Sequence, residues 1–207
     1  IINTTPESAA KTSVVNSAII KNTGLTFDEV FLMKDAGINY QAVKIGKAEK
    51  GKSGLSKLLF YEGEKADKND VEYWKGSNIE KYFIQDRTGQ FVKTDYKKFK
   101  KDNERVILNS DFFALTPKIL WRQTASSLIA VVDEKGVWFG RSIIGAIMNS
   151  DFKNKVNIYF ALAIFNSKYI DFIYRQKVLE TGKVFPQVKL KYLRDLPFVL
   201  GAKSQQE

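Results

Sequence analysis

The stretch that decides the fold runs from Asn157 to Gln176 and reads NIYFALAIFNSKYIDFIYRQ. Its large apolar residues recur in steps of three and four, the spacing that places side chains on one face of a helix. They are Ile158, Leu162, Phe165, Tyr169, Phe172 and Ile173. Because such a face must be buried, we predict a long C-terminal helix that supports the rest of the chain.

The residues that follow change character twice. Gly182 ends the helical pattern, and Pro186 favours extended backbone at the residue before it, so we predict an extended segment over 185–188. A short helix is predicted over 192–196, ended by Pro197. Polar and basic residues lie between these apolar segments: Thr181, Lys183, Gln187 and Lys189. The pattern therefore predicts an apolar anchor that carries a polar and basic strip.

Composition limits the classes of function. The 207 residues are 44% hydrophobic, enough for one large domain or two small ones. Lys and Arg number 33 against 23 acidic residues, and the net charge of +10 favours a polyanionic partner such as nucleic acid, with a solvated basic surface as the alternative. The absence of histidine and cysteine excludes thiol nucleophiles, histidine bases, zinc sites built on those ligands and disulfides. No apolar run approaches ~20 residues and no signal peptide is visible, so we predict a cytoplasmic chain without membrane contact.

A β-hairpin is predicted after Pro117. Its strands are 119–121 and 128–132, a turn follows at 133–136, and a further strand covers 137–139. The polar connection begins with Arg122, Gln123 and Thr124. Arginine can bond guanine through two donors and glutamine can bond adenine, so these residues are candidates for reading bases. The alternative is a polar turn whose arginine makes a structural salt bridge.

The segment from Tyr96 to Lys101 interleaves four lysines with two aromatic residues. Lysines in such a segment can neutralise phosphates while the rings pack, although a charged run can equally be a solvated face. The candidates for phosphate contact are Lys97, Lys98, Lys100, Lys101, Arg141 and Lys189.

Several stretches together resemble the TaqI-like C-terminal specificity domain, the target-recognition part of bacterial DNA methyltransferases and type IIG restriction-modification enzymes. The most specific are the C-terminal ones: Asn166-Ser167-Lys168, then 180–189, then Leu196-Pro197. The stretches 118–124, 36–40 and 73–79 are similar to further elements of that family, so the likeness covers most of the chain from about residue 25.

The resemblance implies an α+β fold in which antiparallel or mixed sheets with hairpins rest on the C-terminal helix. It also implies recognition of double-stranded DNA without catalysis in this segment. On this reading residues 1–24 are a linker or docking helix, 25–200 are the DNA target-recognition domain, and 201–207 are a disordered tail. The residues expected to read bases are Arg122, Gln123, Thr124, Lys183 and Gln187.

The same resemblance places the chemistry in another part of the parent protein. Adenine methyltransferases of this kind use a Pro-Pro-aromatic motif, and the four prolines here are never adjacent. We therefore expect a methyltransferase region, with or without endonuclease activity, N-terminal to Ile1. S-adenosylmethionine and Mg²⁺ are expected in that parent enzyme, whereas no cofactor or metal is expected in this segment.

Two enzymatic alternatives are weighed against this reading. Gly46–Ser53 matches the phosphate-binding P-loop pattern, and the strand ending at Asp133 offers an acid for magnesium. A P-loop needs a helix that starts at the Lys-Ser pair, but Gly54 follows directly and 58–61 favours a strand. The sequence Asp133-Glu134-Lys135 fits part of a nuclease motif, yet the pattern places it on a solvent-facing turn. A basic protein-docking module is the remaining alternative.

Overall fold

The structure is a computed structural model, and it describes residues 24–42, 54–85, 89–178 and 187–206. Residues 1–23 of the linker or docking helix predicted over 1–24, the P-loop pattern over 46–53 and Lys183 lie outside these ranges. The helices are α1 Phe27–Val30, α2 Leu55–Leu59, α3 Ser110–Ala114, α4 Ile158–Phe165, α5 Lys168–Val178, α6 Leu190–Arg194 and α7 Lys203–Gln206.

Short strands carry most of the remaining regular structure. They are β1 Phe31–Lys34, β2 Asn39–Ala42, β3 Phe60–Glu62, β4 Val71–Trp74, β5 Ile79–Glu80, β6 Phe83–Ile84, β7 Gln90–Val92, β8 Glu104–Ile107, β9 Lys118–Arg122, β10 Ala130–Asp133, β11 Trp138–Phe139 and β12 Ile143–Met148. Single 3-10 turns occupy Gly76–Asn78, Tyr96–Lys98 and Ser150–Phe152. The α+β class with antiparallel and mixed sheets is confirmed.

The central sheet has the order β1-β12-β9-β10, and all its neighbours are antiparallel. The β9–β10 pair confirms the predicted hairpin, with Trp121 opposite Ala130. Successive side chains of a strand point to opposite faces. Accordingly Ile119 and Trp121 enter one hydrophobic cluster while Leu120 enters another. The sheet is therefore buried on both faces.

Helices cover one face of the central sheet. Trp121 contacts Phe165 of α4, with 5.3 Å between ring centroids, and Phe27 of α1 packs edge-on against Phe198 at 5.2 Å. Each of these rings is at most 2% exposed. Burial of a large apolar side chain stabilises a fold by roughly 1.5–3 kcal/mol. This layer fixes the C-terminal helices against the sheet.

Small sheets cover the other face. The strands of the second sheet follow the order β11-β4-β7-β3, and β2 pairs with β8. Tyr73, Val92 and Phe139 from these strands pack in one cluster with Leu120 and Ile143 of the central sheet. The strand β11 pairs in parallel with β4 and does not extend the β9–β10 hairpin, which corrects the predicted continuation.

Two consecutive helices, α4 and α5, replace the predicted long C-terminal helix. The break lies at Asn166, whose amide bonds both backbone groups of Ala130 on the outer edge of β10, at 2.9 and 3.0 Å. The Ser167 hydroxyl then accepts from the Ile170 amide at 3.1 Å, in the first turn of α5. Tyr169 and Phe172, which the unbroken pattern predicted to be buried, are therefore 45% and 47% exposed.

Three further predicted segments differ from the observed elements. The segment 58–61, predicted as a strand, begins inside α2 and becomes extended only at Phe60. The predicted short helix over 192–196 is α6, which lies two residues earlier in the chain. Within the tail predicted to be disordered lies α7, where the Gln206 side chain bonds the Asn157 amide at 2.7 Å. Among the helices described, none has the length and apolarity needed to cross a bilayer.

Candidate nucleic-acid interface

The turn Gly140–Ser142, between β11 and β12, joins segments that are far apart in sequence. The Ser142 carbonyl accepts from the Gln123 amide at 2.8 Å, and the Ser142 hydroxyl accepts from the Gly76 amide at 2.8 Å. The Gly140 amide in turn donates to the Trp74 carbonyl at 2.9 Å. The ends of β4 and β9 are thus fixed to one turn.

Two glycines allow this close approach. A Cβ on Gly37 would lie 2.6 Å from the Gly140 carbonyl oxygen and 2.8 Å from the Arg141 Cα. A Cβ on Gly76 would lie 2.9 Å from the Ser142 carbonyl oxygen. Both positions therefore need glycine for space. The stretches 36–40 and 73–79, noted in the sequence, meet at this turn.

The described part of the polar and basic strip, Gln187–Lys189, reaches the same end of the central sheet, and we call these residues the C-terminal strip. Thr124 and Gln187 form an antiparallel bridge, and the Val188 amide donates to the Gln123 carbonyl at 2.6 Å. Gln187 is exposed, whereas Val188 is buried in the helical cluster. Three of the predicted base-reading residues, Gln123, Thr124 and Gln187, therefore lie side by side.

Helix α5 holds this strip in place through Tyr174. The phenolic oxygen of Tyr174 accepts from the Lys189 amide at 2.7 Å and donates to the Gln187 carbonyl at 3.3 Å. The ring itself is 6% exposed. Sequence reasoning missed this role, because an apolar pattern shows that a tyrosine is buried but not which backbone groups its hydroxyl meets.

The same helix also supports the loop between β9 and β10. The Asp171 carboxylate accepts from the Leu128 amide at 2.8 Å and from the Arg175 Nε at 2.8 Å. Arg175 also donates to the Ser126 carbonyl. Asp171, Tyr174 and Arg175 stand three and four positions apart and so share a helix face. That polar face, visible in the sequence, is the signal by which all three could have been found.

Arg122 lies at the end of β9 beside the β5–β6 hairpin. Its Nη1 is 3.6 Å from Glu80 Oε1, and the two side chains are 27% and 33% exposed. The Arg122 Nε is buried and finds no hydrogen-bond partner among the described residues. The ion pair is the alternative that the sequence left open, and at 3.6 Å it is too long to count as a hydrogen bond.

Arg141 lies in the joining turn itself and is exposed. Within the described parts of the chain no acidic side chain forms an ion pair with it. We define the recognition edge as Arg122, Gln123, Thr124, Arg141 and Gln187. These five residues come from three separate segments and gather at one end of the central sheet.

A family model described as the TaqI-like C-terminal specificity domain matches residues 71–198, more than half of the chain. This chain belongs to the TaqI-like C-terminal specificity domain family. A comparison with curated proteins gives no match. The matched range of this specificity domain contains the whole recognition edge.

The lysine segment of the specificity domain is a separate surface between β7 and β8. Lys98 pairs with Asp95 at 3.1 Å, and its side chain stays 79% exposed. Lys100 donates to the carbonyls of Lys101 and Glu104 at 3.0 and 2.9 Å, so it stabilises the local turn. Lys97 and Lys101 are exposed. Among the described contacts, none joins this segment to the recognition edge.

A second basic group of the domain, Lys75, lies next to Gly76. Its ammonium is 2.8 Å from Glu62 Oε1. The hydrogen bond from Lys75 and its positive charge lower the pKa of the Glu62 carboxyl. Burial lowers the pKa of Lys75, but the hydrogen bond and charge of Glu62 and the contact with Tyr73 outweigh it and raise that pKa. Lys75 is therefore a cation already paired in the specificity domain.

Asp133 has a structural role that corrects its predicted exposure. It is 1% exposed, and its Oδ2 is 2.6 Å from the buried ammonium of Lys118. Its two oxygens also accept from the amides of Lys135, Gly136 and Val137 at 2.9–3.1 Å. All these donors occupy the carboxylate, so it is not placed as a ligand for magnesium. No group of three or more acidic, His or Cys side chains in the described ranges could hold a metal.

Proposed function

We propose that this chain binds double-stranded DNA and reads a short base sequence on behalf of a linked enzyme. The recognition domain would span residues 25–200. The linked enzyme would be an adenine-specific DNA methyltransferase, with or without endonuclease activity, that carries S-adenosylmethionine and Mg²⁺ in its own sites. The observation that supports this proposal best is the convergence of polar segments at the recognition edge of a TaqI-like specificity domain.

Base contact is assigned to four polar residues of that edge, of which three are half-buried and Gln187 is exposed. Arg122, Gln123, Thr124 and Gln187 combine donors and acceptors that match base edges in the major groove. Lys183 is proposed as a fifth contact on the strip that leads to Gln187. Hydrogen bonds hold the backbone of Gln123 and Gln187, so these two positions are set before DNA arrives.

Arg122 is the strongest candidate among them. Within the described part of the chain its acidic partner is Glu80, at 3.6 Å, and its buried Nε has no hydrogen-bond partner there. An unsatisfied buried donor costs about 1–3 kcal/mol. Guanine offers two acceptors, O6 and N7, in the geometry that a guanidinium prefers. DNA binding would thus exchange a weak pair with Glu80 for two good hydrogen bonds.

Phosphate contact is assigned to exposed cations near the edge and on the lysine segment. Arg141 and Lys189 lie on or beside the recognition edge. Lys97, Lys98 and Lys101 extend the positive surface, and Lys100 adds charge while it holds its turn. Such contacts position the duplex and make binding dependent on salt, without selecting a sequence.

The test begins with selection of duplexes from a random pool by the complete 207-residue chain. Affinity is then measured by fluorescence anisotropy at several salt concentrations. We expect one preferred sequence and a logarithmic fall of affinity with salt. Arg122→Ala should remove about 1–3 kcal/mol of discrimination at one base pair, while Arg141→Ala should weaken all duplexes alike. Lys153→Ala, an exposed cation beyond the opposite end of β12, is the charge-matched control and should bind as the wild type does.

Failure of the chain to bind any duplex at low salt would refute the proposal and favour a protein-docking role. The P-loop alternative has its own test, because its only support is the pattern over Gly46–Ser53. ATP or GTP binding that is lost in Lys52→Ala would support that alternative.

A further inference from the structure

The β5–β6 hairpin, Ile79–Ile84, presents two large aromatic rings to solvent. Ile79 is fully buried and pairs across the hairpin with Ile84, while Glu80 pairs with Phe83. Cross-strand partners lie on the same face, so Glu80 and Phe83 share the face that points away from Ile79. Phe83 is 57% exposed and Tyr82 is 56% exposed. Packing within the domain does not account for either ring.

This face adjoins the recognition edge. Glu80 contacts Arg122, and directly opposed residues of a hairpin have Cβ atoms about 5 Å apart. Phe83 therefore lies on the same hairpin face as the residue that contacts the arginine assigned to base reading. The whole chain carries a net charge of +10. That surface fits a ligand that is both anionic and aromatic.

The tip is anchored through its backbone and through Lys81. The Tyr82 amide donates to the Ala130 carbonyl at 3.0 Å, and the Lys81 ammonium donates to the Asn166 carbonyl at 3.0 Å. Tyr82 has φ = 72°, in the left-handed region, at a turn position that favours glycine. A tyrosine in such a conformation costs stability, which is typical of positions kept for function.

We propose that Phe83 and Tyr82 stack against bases of the bound duplex, at a step next to the base pair contacted by Arg122. Every base has an aromatic face, and apolar side chains that enter between base pairs unstack them and bend the duplex. The energy of this contact therefore depends on how easily the two adjacent base pairs unstack. This inference rests on the proposed function, because it requires duplex binding.

The test uses the complete chain and its selected duplex, with 2-aminopurine placed in turn at each position of the site. The fluorescence of this base analogue reports the loss or gain of stacking. Wild-type protein should change the signal at one or two adjacent positions. Phe83→Ala and Tyr82→Gly should abolish that change and weaken binding by roughly 5- to 100-fold. Phe83→Trp, which keeps an aromatic ring, should retain both the fluorescence change and the wild-type affinity.

Two controls separate stacking from misfolding. Tyr82→Gly replaces a strained residue by the one that its turn prefers, so its melting temperature should equal or exceed that of the wild type. Tyr159→Ala removes a ring that is 53% exposed beside the β9 end opposite Arg122, and it should bind DNA normally.

The outcomes distinguish failure of base stacking from failure of DNA binding itself. If the wild type binds its duplex and the hairpin variants bind it equally well, the inference is overturned and the rings face another partner, such as a protein. If the hairpin variants bind more weakly but the wild type leaves the 2-aminopurine fluorescence unchanged at every position, base stacking is also overturned. If the wild type binds no duplex, the proposed function itself fails.

Discussion

Replacement of Gly37 by alanine tests whether the Gly140–Ser142 turn positions the recognition edge. The φ angle of Gly37 is outside the left-handed region, so alanine is resisted only by lack of space. The new Cβ would lie 2.6 Å from the Gly140 oxygen, about 0.8 Å short of the 3.4 Å at which ordinary contact begins. The opposing atoms are backbone and cannot rotate away. The turn must therefore move.

The displacement has two measurable consequences. Overpacking of this kind costs about 1–3 kcal/mol, so the free energy of unfolding in urea should fall by that amount. A shift of Arg141 and Ser142 also exceeds the roughly 0.5 Å within which a binding constellation works, so Gly37→Ala should lose about tenfold in preference for the selected duplex. Anisotropy titrations with selected and random duplexes measure this ratio.

Gly54→Ala is the matched control. Gly54 also has an ordinary φ, −66°, and its added Cβ would meet nothing within 4 Å. This variant should keep wild-type stability or gain slightly, and keep the wild-type preference. If Gly37→Ala matches Gly54→Ala in both measurements, the turn does not control the recognition edge and the reasoning is wrong.

Three further changes probe separate parts of the domain. Lys118→Met leaves the buried Asp133 carboxylate without its cation and should cost about 3–5 kcal/mol in urea unfolding, a loss that Asp133→Asn in the same chain should partly recover. Tyr174→Phe removes a hydroxyl that bonds two backbone groups of the C-terminal strip; it should cost about 1–2 kcal/mol and speed amide hydrogen exchange there, and unchanged exchange would contradict its role. Glu80→Gln frees Arg122 from its acid, so affinity for random duplexes should rise a few fold while discrimination falls; equal discrimination would argue against competition at this pair.

Local patterns predicted the parts of the fold that depend on neighbours in sequence. The β9–β10 hairpin follows from two apolar runs around a polar connection, and its predicted strands match the observed ones closely. Of the extended segment predicted over 185–188, the structure describes Gln187 and Val188, and Gln187 bridges Thr124. Its pairing with Thr124 also fits the family resemblance, which linked both stretches to one function.

Long-range contacts between short segments were not predictable in this way. The strand β11 has two residues, and its parallel partner β4 lies more than 60 positions upstream. The helix break depends on Asn166, whose amide meets Ala130 on an edge strand 36 positions away. The pattern places Asp133 on a solvent-facing turn, and it gives no sign of the buried pair with Lys118, because lysine is a residue type that is rarely fully buried. In each of these cases the partner lies outside the local pattern.

The residues that assemble the site differ from those proposed to read DNA. Segments are brought together by backbone contacts and buried surface at Gly37, Gly76 and Val188. Packing therefore determines which residue types these positions accept. Gln187 and Arg141 project from the same segments into solvent, and no packing in the described structure requires their side chains. Substitution of the exposed set can therefore alter the sequence that is read while the buried set preserves the edge that presents it. A change in specificity without loss of stability follows directly from this separation.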